Sequence, residues 1–219
     1  INRNTLDAGG ILSGSTLTLS AAEVDNQRGL IVANNDLAMN TGNVDNRGGS
    51  MGSQTGALAL DSQRVDNSAG LIQAAGREAL NTHGQALLNS NSGERGGIFS
   101  GDDLRLQTGA LDNAAGVISG VSLDLLSDAL DNRNGLLLSS GDMRINTRGA
   151  QLNNSGTASA GIRAQGALTL NTGELNNASG FIAAREALLT TAACNNQSGT
   201  LRGIDRMTIN AKTVANHQG

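Results

Sequence analysis

Hydrophobic and polar positions alternate in short stretches along the whole chain. In one pattern an aliphatic residue is followed two positions later by a small one, as at Ile31 and Ala33. In a second pattern two aliphatic residues flank a freely varying position, as at Leu104 and Leu106. Because successive side chains of a strand point to opposite sides, both patterns predict short strands with one buried and one solvated face.

A tripeptide of an aliphatic residue, Asp or Asn, and Asn adds a third apolar position to each repeat. It begins at Val24, Val44, Val65, Leu111, Leu130, Leu152, Leu175 and Cys194, with degenerate copies at Leu6, Leu88 and Val214. From Asn26 to Asn216 there are nine intervals over 190 residues, which gives a mean period of about 21 residues. Internal repetition therefore dominates the sequence.

A repeat of this length, with two or three turn signals inside it, is too short for two helices. Three short strands per repeat, each stacked on the equivalent strand of the next, form a parallel β-helix. The fold class predicted is thus all-β, a solenoid of about ten to eleven coils and roughly 50 Å long at the spacing of paired strands. Residues 1–219 are interpreted as a single β-helix array, and the absence of proline suits its continuous hydrogen bonding.

The composition fits a narrow tube filled with small and aliphatic side chains. The 219 residues include 30 glycines and only two aromatic residues, and close packing leaves little space for rings inside such a tube. Phe99 is expected at an inward position, and Phe181 one residue before an inward position and partly exposed.

The Asn that ends each tripeptide is a candidate structural residue. Asn tolerates a left-handed backbone, and its amide can donate to and accept from identical stacked neighbours. We therefore expect each of these residues to turn the chain out of a strand and to form a ladder along the rod. The predicted ladder consists of Asn26, Asn46, Asn67, Asn113, Asn132, Asn154, Asn177 and Asn196.

The position before this Asn allows two interpretations. Asp25, Asp45 and Asp66 occupy it in successive coils, and a row of carboxylates could collect Ca²⁺. Asn replaces Asp there at Asn89, Asn153, Asn176 and Asn195. Since both residue types accept a backbone N–H in an Asx turn, the turn is favoured and no metal is predicted.

Catalytic constellations are not evident in the sequence. The insertions near residues 90–97 and 155–161 add only about three residues each, too few to wall a pocket. His83 and His217 lie several coils apart and are expected to be solvated, while Cys194 is expected to be a small buried hydrophobe. Glu78 and Glu186 are expected to be outward charges at local bulges. No catalytic residue and no cofactor is predicted.

Charge and hydropathy exclude two classes of partner. The formal net charge is −4, from 15 basic and 19 acidic residues scattered along the chain, so no basic stripe for nucleic acid is present. The apolar runs are far shorter than the roughly 20 residues of a membrane-spanning helix. Neither nucleic-acid binding nor a membrane span is predicted.

The array resembles a known repeat. Residues 111–147, which include LDNAAGVISG and LDNRNGLLLSSGDMRINT, are similar to the haemagglutinin repeat of filamentous haemagglutinin-like exoproteins. That group includes large adhesins and contact-dependent growth inhibition effectors of Gram-negative bacteria, and the resemblance covers about residues 6–219. It implies a right-handed β-helix, export through an outer-membrane two-partner-secretion translocator, and display as a rod on the cell surface, with the chain as a fragment of a longer protein.

Three functional hypotheses follow. The first is a stalk segment that projects a distal binding or toxin region. The second is an adhesive rod that binds a receptor on a host cell or a neighbouring bacterium, through Arg105, Arg144 and Arg202 or through turns at Glu94, Arg95 and residues 155–160. The third is a carbohydrate-active β-helix enzyme, disfavoured because no long loop leaves the coils. End-to-end stacking of open coil edges is a further expectation.

Overall fold

In the computed structural model, which describes residues 1–7, 9–158 and 160–219, the chain forms 24 parallel strands and no helix. Within these residues there is accordingly no helix long and apolar enough to cross a membrane. The strands wind into a β-solenoid of about ten turns, which confirms the predicted fold class.

The strands follow one another in the order in which they wind around the rod. They are β1 (Ile11–Ser13), β2 (Leu17–Asp25), β3 (Leu30–Ala33), β4 (Leu37–Asp45), β5 (Ser50–Ser53), β6 (Leu58–Asp61), β7 (Val65–Asp66), β8 (Leu71–Ala74), β9 (Glu78–Asn81), β10 (Leu87–Leu88), β11 (Gly97–Ser100), β12 (Leu104–Gln107), β13 (Leu111–Asp112), β14 (Val117–Gly120), β15 (Leu123–Leu126), β16 (Leu130–Asp131), β17 (Leu136–Ser139), β18 (Met143–Asn146), β19 (Gln151–Asn153), β20 (Gly161–Ala164), β21 (Ala167–Asn171), β22 (Glu174–Asn176), β23 (Phe181–Asn195) and β24 (Thr200–Ala215).

Each coil contributes one strand segment to each of three faces. Face 1 consists of β1, β3, β5, β8, β11, β14, β17, β20 and the first residues of β23 and β24. Face 2 consists of the first part of β2 and β4, then β6, β9, β12, β15, β18, β21 and the middle of β23 and β24. Face 3 consists of the last residues of β2 and β4, then β7, β10, β13, β16, β19, β22 and the last residues of β23 and β24.

Strand register places like residues on like residues. On face 1, Ile31 pairs with Met51, which pairs with Ile72, and all three are fully buried. On face 2, Leu104 pairs with Leu123, and on face 3 Leu111 pairs with Leu130, all about 1% exposed. The aliphatic positions predicted from the sequence therefore form a single core that fills the tube from end to end.

Two inward positions differ from the prediction. Phe99 pairs with the outward residue Gln73 and is partly exposed, because its neighbour Ile98 takes the inward position. Glu78, predicted to point outward, lies inside the tube between Leu58 and Leu104 and is 1% exposed. Glu186 is exposed beside a register shift in β23, as predicted, so that Ala187 takes the inward position there.

Candidate functional site

The corner between faces 3 and 1 carries the most regular polar structure of the molecule, and we call it the asparagine corner. Along it, the side-chain Nδ2 of one Asn donates to the Oδ1 of the Asn one coil further on, at distances from 2.6 to 2.8 Å. The row runs through Asn2, Asn26, Asn46, Asn67, Asn89, Asn113, Asn132, Asn154, Asn177, Asn196 and Asn216. It contains the eight residues named from the sequence and adds Asn2, Asn89 and Asn216.

From Asn26 to Asn196 the amides of this row are buried and have partners. The Nδ2 of Asn113 donates to Asn132 Oδ1 at 2.7 Å and to the carbonyl oxygen of Gly116 at 3.3 Å. Its backbone N–H donates to the Asp131 carbonyl oxygen at 2.7 Å, and the side chain is fully buried. Buried polar groups stabilise a fold only when they are hydrogen-bonded, and this row meets that condition.

The ladder asparagines do not themselves turn the chain, contrary to the expectation. The left-handed backbone occurs two residues later, for example at Ala115 with φ 51° and at Asn134 with φ 53°. The ladder Asn still points into the tube like a strand residue, which leaves the turn to the residues that follow it. A glycine then closes the turn, because a Cβ on Gly135 would lie 2.3 Å from the Asn113 carbonyl oxygen.

Three corners replace this glycine with a hydroxyl residue. Thr5, Ser92 and Thr157 stand three residues after Asn2, Asn89 and Asn154. In a regular coil the Gly carbonyl oxygen accepts the backbone N–H of the residue that begins the face 1 strand of the following coil. At these three corners the hydroxyl oxygen of Thr or Ser accepts that N–H instead. The distances are 3.0 Å from Leu30 N to Thr5 Oγ1, 3.2 Å from Val117 N to Ser92 Oγ and 2.9 Å from Phe181 N to Thr157 Oγ1. The two predicted insertions, at 90–97 and 155–161, each contain such a residue, Ser92 and Thr157.

The position of Asn89 corrects the sequence alignment by one residue. Leu88 pairs with Asp112, so Leu88 holds the Asp position and Asn89 holds the ladder position. The same spacing, Asn followed three residues later by Gly, Ser or Thr, was present in the sequence and would have identified both Asn89 and Asn2. The degenerate copy at Leu6 includes Ala8, which lies outside the described residues.

The acidic row beside the ladder forms Asx turns, as predicted. Oδ1 of Asp112 accepts the N–H of Ala114 at 2.9 Å, and Oδ1 of Asn153 accepts that of Ser155 at 3.2 Å. Hydrogen bonds from Arg47 lower the pKa of Asp45 below its ordinary value. Among residues 1–7, 9–158 and 160–219, no group of three His, Cys, Asp or Glu side chains is placed to hold a metal ion.

A groove of about 750 Å³ lies over this corner at its N-terminal end. Its floor consists of glycines and small residues of successive turns, and its walls are the N-terminal segment and the insertion after Ser92. The lining residues are Leu6, Asp7, Gly48, Gly49, Ser50, Ala69, Gly70, Leu71, Ser92, Glu94, Arg95 and Gly96. The groove is shallow and open, and exposed Glu94 and Arg95 place one charge of each sign at its rim.

The arginines proposed as adhesive residues do not form one patch. Arg105 and Arg144 lie on face 2 on either side of Asp124, with which both are in register. Arg202 lies on face 1, in register with Ala183. The predicted turn at 155–160 includes Ser159, which lies outside the described residues.

The two histidines and the cysteine considered in the sequence lie at separate places in the structure. His83 is exposed and contacts the carboxylate of Asp61, and His217 is exposed near the C-terminus. Cys194 is 2% exposed, and its burial raises the pKa of the thiol. The expectation of a buried hydrophobe at Cys194 is therefore confirmed.

Glu78 is the least expected chemical group of the structure. Neither carboxylate oxygen has a hydrogen-bond partner among the described residues. Burial raises the pKa of this side chain well above its ordinary value. A carboxyl group in an apolar tube is held in its neutral form, because desolvation disfavours the charge.

These features define a class: a β-solenoid rod of short coils with a buried asparagine row. Within that class, residues 2–93 match the haemagglutinin repeat family. The match and the solenoid together fit a filamentous haemagglutinin-like repeat region. No curated protein and no solved structure matches the chain. Haemagglutinin repeats are structural parts of adhesins rather than enzymes, and are typical of secreted cell-surface proteins of Gram-negative bacteria.

Proposed function

We propose that the chain is a stalk segment of a secreted filamentous haemagglutinin-like exoprotein, and that it holds a distal binding or toxin region away from the cell surface. Such a parent would be an adhesin or a contact-dependent growth inhibition effector, exported by a two-partner-secretion translocator. The proposal places the chain at the outer surface of a Gram-negative bacterium, as one part of a longer protein.

The observation that carries this proposal is the continuity of the asparagine row. Ten side-chain hydrogen bonds in succession join Asn2 to Asn216, across coils of 19 to 24 residues. Each coil contacts mainly its neighbours, so a stack of this kind transmits length and stiffness rather than forming a closed cavity. Coils of similar size suit a spacer, whose function is to set the distance between the cell surface and the distal region.

Removal of whole coils from the parent exoprotein tests the proposal. Deletion of residues 114–132 and 178–196 takes out two coils of 19 residues each. It leaves Asn113 before Arg133 and Asn177 before Gln197, so each junction keeps a glycine three residues after its Asn. We expect a secreted, folded rod that is shorter by about 10 Å in small-angle scattering and that still binds cells.

Deletion of residues 114–123 is the matched control, since it removes the turn and the face 1 strand of a single coil, leaves the neighbouring face 1 strands without their partner, and should prevent folding. Loss of cell binding by the whole-coil variant, with secretion and rod shape intact, would contradict the stalk proposal. That result would mean that the deleted coils themselves bind the receptor.

A second candidate function, adhesion by the rod itself, is favoured by the groove at Glu94 and Arg95. We would replace both residues with Ala and measure binding of the chain to cells. Arg185 and Glu186 are an adjacent exposed pair of the same two charges at the register shift in β23, and their double Ala variant is the control. Binding that falls only in the groove variant supports adhesion; no binding by the unaltered chain rejects it.

A further inference from the structure

The insertion at residues 90–97 is held to the rest of the rod only near its two ends. The backbone N–H of Ser92 donates to a carbonyl oxygen of the next coil at 3.2 Å, and that of Gly97 donates to one of the preceding coil at 2.8 Å. Between them, Gly96 N donates to the Ser92 carbonyl oxygen at 2.8 Å and closes the turn. Residues 93–95 have no backbone hydrogen bond to any other residue that the structure describes.

The side chains of this segment lack partners as well. Glu94 and Arg95 are exposed, and neither side chain has a hydrogen bond or an ion pair within the described part of the chain. Gly93, with φ 61°, and Gly96 flank the two charged residues, and glycine has the widest range of backbone conformations. Residues 93–96 can therefore leave their positions with the loss of one hydrogen bond, whereas a strand residue must break ladder bonds to its neighbouring coils.

Arg95 differs in this respect from the rest of the 15 basic residues. Those within strands are Arg105, Arg144, Arg163, Arg185, Arg202, Arg206 and Lys212. Those in turns with a backbone hydrogen bond to a neighbouring coil are Arg28, Arg47, Arg64, Arg77 and Arg133. The side chain of Arg148 donates to the Thr108 carbonyl oxygen at 2.9 Å, and Arg3 lies between two residues hydrogen-bonded to the next coil.

The glutamates are distributed in the same way. Glu23, Glu78, Glu174 and Glu186 lie in strands, and Glu94 is in the insertion. The second insertion, at residues 155–161, contains no Lys, Arg or Glu. The segment 93–96 is therefore the place where a basic and an acidic residue stand together in a turn that opens easily.

We propose that residues 93–96 are a cleavage site at which a trypsin-like protease hydrolyses the Arg95–Gly96 peptide bond of the folded rod. Such a protease binds an extended segment and selects the basic residue before the bond through a carboxylate in its specificity pocket. The reaction consumes one water molecule: the C–N bond breaks, hydroxyl adds to the Arg95 carbonyl carbon, and hydrogen adds to the Gly96 nitrogen. Because cleavage requires local opening, the exposed turn should be cut before any strand.

The two pieces should remain associated after cleavage. Asn89 and Asn113, on either side of the insertion, are joined by a hydrogen bond of 2.8 Å from Nδ2 to Oδ1. The strand β9 pairs with β12 across the same boundary, and Leu80 and Leu106 belong to one core. Cleavage therefore leaves a nicked rod, in which the wall of the groove that contains Glu94 and Arg95 is released at one end.

Limited digestion of the folded chain with trypsin, followed by mass spectrometry, tests the proposal. We expect the first internal cleavage to produce residues 96–219, and Arg95→Gln to slow internal cleavage at least about tenfold. Arg133→Gln, at an exposed arginine of a regular corner, is the control and should be cut like the unaltered chain. Trimming after Arg3 or within β24 is scored separately, because each end coil has a neighbour on one side only.

A protease specific for glutamate separates the opening of the segment from the choice of Arg95. It should cut first after Glu94, in the unaltered chain and in Arg95→Gln alike. Earlier cleavage after Glu174, which lies in a strand between two neighbouring coils, would contradict the easy opening of the insertion.

The state of the cleaved chain completes the test. Native size-exclusion chromatography should show it at the position of the intact rod, and denaturing electrophoresis should show two pieces. The proposal is overturned by the absence of residues 96–219 among the products, by earlier internal cleavage at another basic residue, or by separation of the pieces under native conditions.

Discussion

The asparagine corner and the inward position of Glu78 are both buried and polar, yet their polar atoms differ in what surrounds them. Asn113 is fully buried, with its amide hydrogen-bonded on both sides along the rod. Glu78 is 1% exposed, with both oxygens unpaired between Leu58 and Leu104. An identical partner in every coil makes the first arrangement stable, while a single substitution in an aliphatic row leaves the second without partners.

The comparison shows that a buried polar residue stabilises the rod when the same residue recurs in the neighbouring coils, and destabilises it when it occurs in one coil alone. In a stack, each ladder Asn supplies both the donor and the acceptor that its neighbours lack. Glu has no such neighbour at the positions before and after it in its row. A substitution that removes a hydrogen-bond partner at the asparagine corner should therefore lower the stability of the rod, whereas one that removes the unpaired carboxyl group at residue 78 should raise it.

The largest effect is expected for Asn113→Ala. It removes the side-chain acceptor of the Asn89 amide, which keeps only the Val117 carbonyl oxygen, and leaves the Asn132 oxygen without its donor, both in fully buried positions. Unpaired buried groups of this kind should lower the free energy of unfolding by about 3 kcal/mol, as measured by urea denaturation. Asn43→Ala, at an exposed Asn on face 3, is the control. Equal loss in the two variants would contradict the role of the row.

Gly135→Ala should have the next largest effect. Its Cβ would meet the Asn113 carbonyl oxygen at 2.3 Å and Asn132 Oδ1 at 2.5 Å, so the corner must open. We expect a loss of roughly 2 kcal/mol, within the range for backbone strain and lost hydrogen bonds. Gly14→Ala has nothing within 4 Å of the added carbon and should be close to neutral. If the two variants have the same thermal midpoint, the corner is less tight than its geometry indicates.

Glu78→Leu should stabilise the rod. It replaces an unpaired carboxyl with the residue type that precedes and follows it in register, and we expect a gain of about 2 kcal/mol in the free energy of unfolding at pH 7. Glu186→Leu, at an exposed glutamate of the same face, should change stability by less than about 0.5 kcal/mol. A loss of stability in Glu78→Leu would mean that the carboxyl has a partner after all.

The same residue predicts a pH dependence with a definite sign. In the unfolded chain Glu78 loses its proton near the ordinary pKa of 4.5, whereas burial raises its pKa in the fold. Above pH 4.5 the unfolded state binds fewer protons, so stability falls as the pH rises, by up to about 1.4 kcal/mol per pH unit. Asp45 has the opposite pH dependence. Its pKa in the fold is lowered from the ordinary value of 3.8, so the stability that its ionised form contributes is lost only as the pH falls through that acidic range.

Unfolding measured from pH 5 to pH 8 checks this dependence. The difference in stability between Glu78→Leu and the unaltered chain should widen as the pH rises. A constant difference over this range would show that Glu78 titrates alike in the folded and unfolded states.

The smallest effects are expected in the acidic row. Asp112→Asn keeps the oxygen that accepts the N–H of Ala114, and should change stability by less than about 0.5 kcal/mol. Asp112→Ala removes that oxygen and should lower stability by about 1 kcal/mol. Hydrogen exchange at Ala114 reports the turn directly. Faster exchange in Asp112→Asn than in Asp112→Ala would contradict the Asx turn.

Much of the fold could be predicted from the sequence, because each coil repeats the same inward positions. Ile118, Leu123 and Leu130 show the period-two spacing of strand residues and are all buried as expected. The ladder asparagines were recognisable from their recurrence. Asn89 was misplaced by one residue, because Leu88 stands where the other coils have Asp or Asn, and only the pairing of Leu88 with Asp112 fixes its register.

The sequence by itself determined the parallel solenoid, its core of small and aliphatic residues, and the row of asparagines along it, because a short repeat with strand spacing has few other ways to bury its apolar side chains. The tertiary structure alone decided two matters: that Glu78 points inward and that Phe99 points outward. Each depends on register between coils, which sets a side chain on one side of the wall or the other and is not encoded in any single repeat.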